Sequence, residues 1–413
     1  MNSTSTTHPG FDAAALARIT PSLNEVVTAG DLSGAVTLVW RAGALAQVDC
    51  VGMRDIAAAA PMQRDTLFRI ASMTKPITST AALMLIEAGK LRLDDPISLW
   101  LPEFADMRVL REPAGALDDT VPAQRALTVN DLLTHRAGLA YTFTSMGPIA
   151  KAYEQALPPG LTPDNWLKAL GALPLSFQPG ERFHYSHATD VLGFLVGRVA
   201  GTSLRDFLRE RIFTPLGMSD TDFYAPAAKQ SRTAKVYRQD ADGGALQEVP
   251  FPQTDAAPVF SSGGGGLLST VDDYLQFARL LLQGGELNGT RLLRVDSVKL
   301  MCTNQLTEAQ RQITFMGLPF WGGQGFGLGV SVITDPARQA WMGAGNAGAF
   351  GWPGAFGTWW QADPAQQLIA IFMIANSTPL APDMASQLAT GQRMGARATL
   401  PTFQQLVYGA LRG

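Results

Sequence analysis

β-prone segments stand near both ends of this chain, and the stretch between them is mostly helical. Ala35 to Trp40 (AVTLVW) and Leu45 to Val51 (LAQVDCV) flank Arg41-Ala42-Gly43-Ala44 and read as an antiparallel hairpin. Far downstream, Phe326 to Ile333, Thr358 to Gln361 and Leu368 to Ile374 are again strand-like. From about Leu99 to Glu308 the periodic segments are helical, Asp190 to Ala200 and Thr270 to Gln283 among them, with Pro- and Gly-rich loops between. The expected fold class is therefore α+β, with one antiparallel sheet built from both termini, flanked by helices and interrupted by a mainly helical insertion. Residues 1–98 and 309–413 are expected to form the sheet-bearing domain and 99–308 the helical one, with the binding cleft between them. Thr402 to Leu411 should close the chain as a helix, with Phe403, Leu406, Val407 and Ala410 on one face.

Composition narrows the partners. The 413 residues carry 32 Lys and Arg against 35 Asp and Glu, a net charge of -3, so no broad basic surface exists for a nucleic acid. Cys50 and Cys302 stand far apart, in no spacing that suggests a disulfide framework or a thiolate metal cluster. The longest apolar run, Leu368 to Ala375, is well short of the roughly 20 residues that span a bilayer and reads as a buried strand. Met1 to Ile19 is rich in Ser, Thr and Ala and lacks the basic-then-apolar pattern of an export signal. A cytoplasmic protein with no membrane partner is expected; oligomeric state is not legible.

The strongest chemical signal is Ser72-Met73-Thr74-Lys75, followed by Pro76. Proline is tolerated only in the first turn of a helix, so the helical segment that runs to Gly89 should begin close to Ser72. Residues i and i+3 then face the same side, bringing hydroxyl and amine together. A serine hydroxyl needs a base, and a lysine serves when burial or the positive helix start disfavours its ammonium form. A capping serine followed by a solvated lysine would leave the same four letters.

The surroundings extend the pattern. Asp65 to Pro76 (DTLFRIASMTKP), Leu93 to Pro96 (LDDP), Leu132 to Leu139 (LLTHRAGL), Pro179 to Ser186 (PGERFHYS), Pro215 to Met218 (PLGM) and Gly264 to Thr270 (GGGLLST) occur in this order. Together they resemble family VIII carboxylesterases and, more distantly, class C β-lactamases and D-alanyl-D-alanine peptidases. The resemblance implies a β-lactamase/transpeptidase-like fold and a serine hydrolase that needs no metal or cofactor. It also implies Ser72 as the acylated nucleophile, Lys75 as its partner and Tyr185 as the third catalytic residue. A phenol beside an ammonium ionises more easily and can then accept the serine proton.

Two departures point away from β-lactams. Where those relatives carry Lys-Thr-Gly, the counterpart is Trp352-Pro353-Gly354-Ala355, and an indole in place of the cation favours an uncharged small-molecule ester. On that alignment the backbone N–H groups of Ser72 and Ala355 form the oxyanion hole, and Trp352 and Gly354 border the substrate. The second departure is His187, which stands where the Tyr-x-Asn of β-lactamases places asparagine. Tyr141 matches an aromatic position lining the cleft of similar esterases, a role that core packing would equally explain. The expected reaction is hydrolysis of short-chain or compact esters; transfer to an alcohol acceptor is the first alternative, and a class C-type β-lactamase or D-alanyl-D-alanine peptidase the more remote one.

Other readings fail on spacing. No Gly-x-Ser-x-Gly occurs, and a Ser-His-Asp triad would need His135, His184 or His187, His8 lying in the N-terminal segment. Glu181, His184 and His187 form no recognised zinc pattern. Gly325 to Gly329 lacks the spacing of a dinucleotide loop and is read as close strand approach; Gly263 to Gly266 lacks the lysine of a phosphate loop and is read as a turn at the cleft.

Overall fold

The computed structural model describes residues 10–239, 244–251, 256–377 and 395–412; the first nine residues of the N-terminal segment, His8 among them, lie outside these. Its centre is an eight-stranded antiparallel sheet in which the two ends of the chain meet. In order across the sheet run Gln324–Phe326, Ser331–Ile333, Phe350–Gly351, Trp359–Asp363, Leu368–Ile374, Gly34–Arg41, Ala44–Asp55 and Ala60–Pro61. The seam is the ladder between Gly34–Arg41 and Leu368–Ile374, in register from Ala35 opposite Ile374 to Arg41 opposite Leu368.

These two strands are apolar almost throughout because helices cover both faces. Side chains alternate across a strand. Thus Val36, Leu38, Ile369, Ile371 and Met373 enter the large core shared with the helical region. Ala35, Val39, Ala370 and Phe372 instead pack with Ile19, Leu23, Phe403 and Val407 of the terminal helices Ile19–Thr28 and Gly395–Gly409. The large core is continuous, holding Val36 and Ile371 of the sheet together with Ile77, Leu133, Leu192 and Phe277.

Ala42 and Gly43 both have positive φ (47° and 92°), the geometry of a two-residue hairpin turn whose twist matches the strands it joins. The stretch Phe326 to Ile333 is not one strand. It folds back between Gln324–Phe326 and Ser331–Ile333, with the Gly327 N–H donating to the Val330 carbonyl at 2.8 Å and Gly329 at φ 90°. A Cβ on Gly327 would stand 2.0 Å from the Met301 carbonyl oxygen, so close backbone approach accounts for this glycine. The closing helix begins at Gly395 rather than Thr402 and contains Pro401.

Between the sheet halves the chain is mainly helical. Ala188–Ala200 ends on Gly201 in the left-handed region, and Val271–Leu282 is capped by the Thr270 hydroxyl, which accepts from Asp273 N–H. Small two-stranded ladders interrupt it, Arg108–Leu110 with Thr120–Pro122 and Val236–Arg238 with Gln247–Val249. A third, Phe68–Arg69 with Leu268–Ser269, ties the segment leading to Ser72 onto the glycine-rich loop. Among the described residues no helix is long and apolar enough to cross a membrane.

Candidate active site

Ser72 sits in a tight turn, Ala71–Met73, that runs directly into the helix Thr74–Glu87, with Pro76 in its first turn. The turn is held from three sides. Ile70 N–H donates to the Leu267 carbonyl at 3.0 Å, the Tyr274 hydroxyl donates to the Met73 carbonyl at 2.9 Å, and the Thr358 hydroxyl donates to the Ile70 carbonyl at 3.2 Å. Ala71 has φ 44°, a left-handed conformation that costs a residue with a Cβ roughly 1–3 kcal/mol and persists where surrounding contacts impose it. Gly354 meets the same turn: a Cβ there would lie 2.4 Å from the Ile70 oxygen. The absence of a side chain thus lets the Trp352 to Ala355 loop lie against the residues preceding Ser72.

Lys75 is 1% exposed, and its Nζ has three oxygen neighbours: Ser72 Oγ at 3.2 Å, Tyr141 Oη at 3.2 Å and the Gly264 carbonyl at 2.6 Å. The carbonyl can only accept, so one N–H is committed to it in either protonation state. As an ammonium Lys75 donates to all three. As a free amine with its second N–H on Tyr141, it has its lone pair for the Ser72 proton.

Tyr185 is 6% exposed and borders the same cavity. It accepts from Trp352 Nε1 at 3.1 Å, while Lys75 Nζ lies 4.6 Å from the centre of its ring. Tyr141, read as a cleft-lining aromatic, provides the hydroxyl contact to Lys75. Burial, the Asp190 carboxylate and Tyr185 push ionisation of Tyr141 well above the usual phenol range, so it remains a phenol.

The sequence reading missed Asp190. It lies on the helix Ala188–Ala200, 3% exposed, and accepts from Ser262 Oγ at 2.5 Å and Gly264 N–H at 2.9 Å, with His187 Nδ1 2.9 Å from its other oxygen. Burial opposes its charge, yet the His187 hydrogen bond, His187 and Lys75 charges and the Ser262 bond outweigh burial and hold its pKa below the ordinary carboxylate value. An acidic residue three positions after His187, at the start of a mostly apolar helix, is the signal the sequence offers. Gly264 is a glycine because a Cβ would stand 2.8–3.0 Å from the Asp190 carboxylate. One residue thereby joins the two groups, the Gly264 N–H on Asp190 and the Gly264 carbonyl on Lys75.

A cavity of about 540 Å³ opens over these groups. Ser72, Tyr141, His187 and Gly264 border it together with Tyr185, Trp352, Gly354, Ala355, Phe315 and Phe320. Trp352, 2% exposed, packs with Phe183, Trp321 and Phe326. Among the described residues neither the Ser72 nor the Ala355 backbone N–H has a protein acceptor.

Two further histidines, His135 and His184, lie among the described residues. His135 is fully buried, with Nδ1 3.4 Å from Ser186 Oγ and Nε2 3.3 Å from Thr189 Oγ1; burial and then the Lys75 charge push its pKa well down. His184 packs on Phe177, and burial pushes its pKa down to about 4. Among the described residues no group of three His, Cys, Asp or Glu side chains converges as a metal site.

This fold and site have relatives. A model of the Beta-lactamase family matches residues 20–391, and the chain belongs to that family. It is 50% identical over 392 residues to Protein Rv1367c of Mycobacterium tuberculosis, covering 94% of this chain and 98% of the relative. It is 32% identical over 391 residues to Esterase EstB of Burkholderia gladioli, covering 89% and 92%. Among solved structures, EstCE1, described as a hydrolase with promiscuous acyltransferase activity, superimposes with a TM-score of 0.77 at 26% identity over 96% of this chain and 99% of that one. The fold is β-lactamase/transpeptidase-like, as the resemblance implied.

Proposed function

We propose that this protein is a serine carboxylesterase that hydrolyses small, uncharged carboxylic esters through an acyl-enzyme on Ser72. The observation that carries the reading is the buried Lys75 amine, 3.2 Å from Ser72 Oγ and anchored by the Gly264 carbonyl. Lys75 takes the serine proton as Oγ attacks the ester carbonyl. The Ser72 and Ala355 N–H groups receive the developing oxyanion. Tyr185, its oxygen placed by Trp352, passes the proton from Lys75 to the leaving alcohol. Water then attacks the acyl group and releases the acid. No metal or cofactor takes part.

The opposite wall supports an uncharged substrate. Where β-lactam enzymes carry a cation, Trp352 presents an indole whose N–H is already committed to Tyr185. An alcohol in place of water would turn the same acyl-enzyme into an acyltransferase intermediate, a reading favoured by the description of EstCE1. Product partition in the presence of an added alcohol separates the two.

The test is turnover of a short-chain chromogenic ester by the wild type and Ser72→Ala, with intact-mass detection of the adduct. Loss of both by a factor of roughly 10³ or more is expected. Unchanged turnover in Ser72→Ala would reject Ser72 as nucleophile.

A further inference from the structure

One ionisable pair in the cavity wall has no task in the acylation half of that reaction. His187 precedes the helix Ala188–Ala200, and its Nδ1 lies 2.9 Å from Asp190 Oδ2. The ionised carboxylate can only accept, so Nδ1 carries a hydrogen, and in the neutral imidazole the lone pair is on Nε2. Among the described residues Nε2 has no hydrogen-bond partner. The side chain is 21% exposed and borders the same cavity as Ser72. Tyr141 at 4.3 Å, Trp166 at 5.4 Å and Tyr153 at 6.1 Å between ring centres enclose the imidazole and limit its rotation.

The neighbouring groups already serve the acylation step. Lys75 is bound to Ser72, Tyr141 and Gly264, and the Tyr185 oxygen takes the Trp352 N–H. The asparagine that the resemblance places at position 187 could not accept a proton near neutral pH; an imidazole can.

We propose that His187, oriented by Asp190, is a second acid–base residue of this site, the one that takes the proton from the acceptor attacking acyl-Ser72. The inference rests on the Ser72 acyl-enzyme reading. As the acceptor oxygen bonds to the acyl carbon, its proton passes to His187 Nε2, directly or through one cavity water. The bond from the acyl carbon to Ser72 Oγ then breaks. Oγ recovers a proton from the Lys75 and Tyr185 pair, and the proton held on His187 refills that pair through cavity water. The site ends with the protons it began with. The groups that set the charge on His187 are Asp190 on its own helix, the phenols Tyr141 and Tyr153 on the elements packed against it, and Lys75 beyond Tyr141.

Stopped-flow hydrolysis of a p-nitrophenyl ester by wild type, His187→Gln and His187→Asn, with intact mass across the time course, tests this. In both variants the nitrophenol burst should keep its rate to within about threefold, while steady-state turnover falls by about 10²-fold and acyl-Ser72 accumulates. The pH profile of kcat should also lose one ionisation, which a merely structural role would not remove. Burst and steady state falling together, or deacylation equal to wild type, would overturn the role of His187. Absence of any Ser72 adduct in wild type and variants alike would instead remove the acyl-enzyme reading beneath it.

Discussion

The wall that carries Lys75 and Asp190 and the wall that carries Tyr185 and Trp352 are equally dry, at 1% and 3% exposure against 6% and 2%. They are built from different materials. On the first, an amine and a carboxylate are buried, and Gly264 of the glycine-rich loop supplies a backbone group to each. On the second, aromatic rings pack on one another, with a single N–H to O contact reaching the chemistry. Buried charge demands complete pairing, whereas an aromatic wall tolerates changes of shape at modest cost. Substitutions on the two sides should therefore differ in kind.

The largest effect is expected at Lys75. Lys75→Met keeps most of the volume and removes the amine, leaving the Gly264 carbonyl without its donor and Asp190 without its nearby cation. Ester turnover should fall by roughly 10³-fold or more, and stability by roughly 1–3 kcal/mol for the unpaired buried acceptor. Chromogenic assay and thermal unfolding of the same preparation measure both. Retained activity would erase the contrast between the walls, because the polar side would then be structural.

A smaller loss is expected where the walls touch. Trp352→Phe preserves an aromatic surface but removes the N–H donated to Tyr185. A hydrogen bond of about 1 kcal/mol corresponds to roughly a five- to tenfold fall in kcat/KM, with thermal stability little changed. Unaltered kcat/KM would make Trp352 wall alone; a loss as large as that of Lys75→Met would make the Trp352 hydrogen bond indispensable to proton transfer by Tyr185.

The sequence showed one wall better than the other. Ser72 and Lys75 were legible because a helix brings i and i+3 together and Pro76 locates its start. The hairpin at Ala42-Gly43 and the strand Leu368–Ile374 were legible from apolar pattern and turn chemistry. What remained hidden depends on long-range approach. Asp190 reaches Lys75 through Gly264, and the Lys75 contact of Tyr141 joins positions 66 residues apart. The split of Phe326 to Ile333 arose likewise from Met301 pressing on Gly327. Small-residue runs record such approaches without naming the partner.

The smallest effect concerns the stability of the aromatic side rather than its chemistry. His184 lies beside Tyr185 in sequence, packs on Phe177 and leaves Nε2 buried without a partner among the described residues. Burial pushes its pKa down to about 4, whereas an unfolded histidine titrates near 6.5. Between these values the unfolded chain binds more protons, so stability declines as pH falls from about 6.5 toward 4. His135, also pushed down by burial, acts in the same direction. Asp273 acts in the opposite one: burial raises its carboxyl to about 6 from 3.8, so between these values the folded state holds the extra proton and acidification stabilises it. Wild type should show a muted decline. His184→Gln removes one limb of this opposition and should lessen the loss of stability between pH 7 and pH 5 by about 1–2 kcal/mol, measured by denaturant unfolding at both values. An unchanged difference would mean that the His184 ring reaches solvent in the folded protein, and that the aromatic wall is wetter than the polar one it faces.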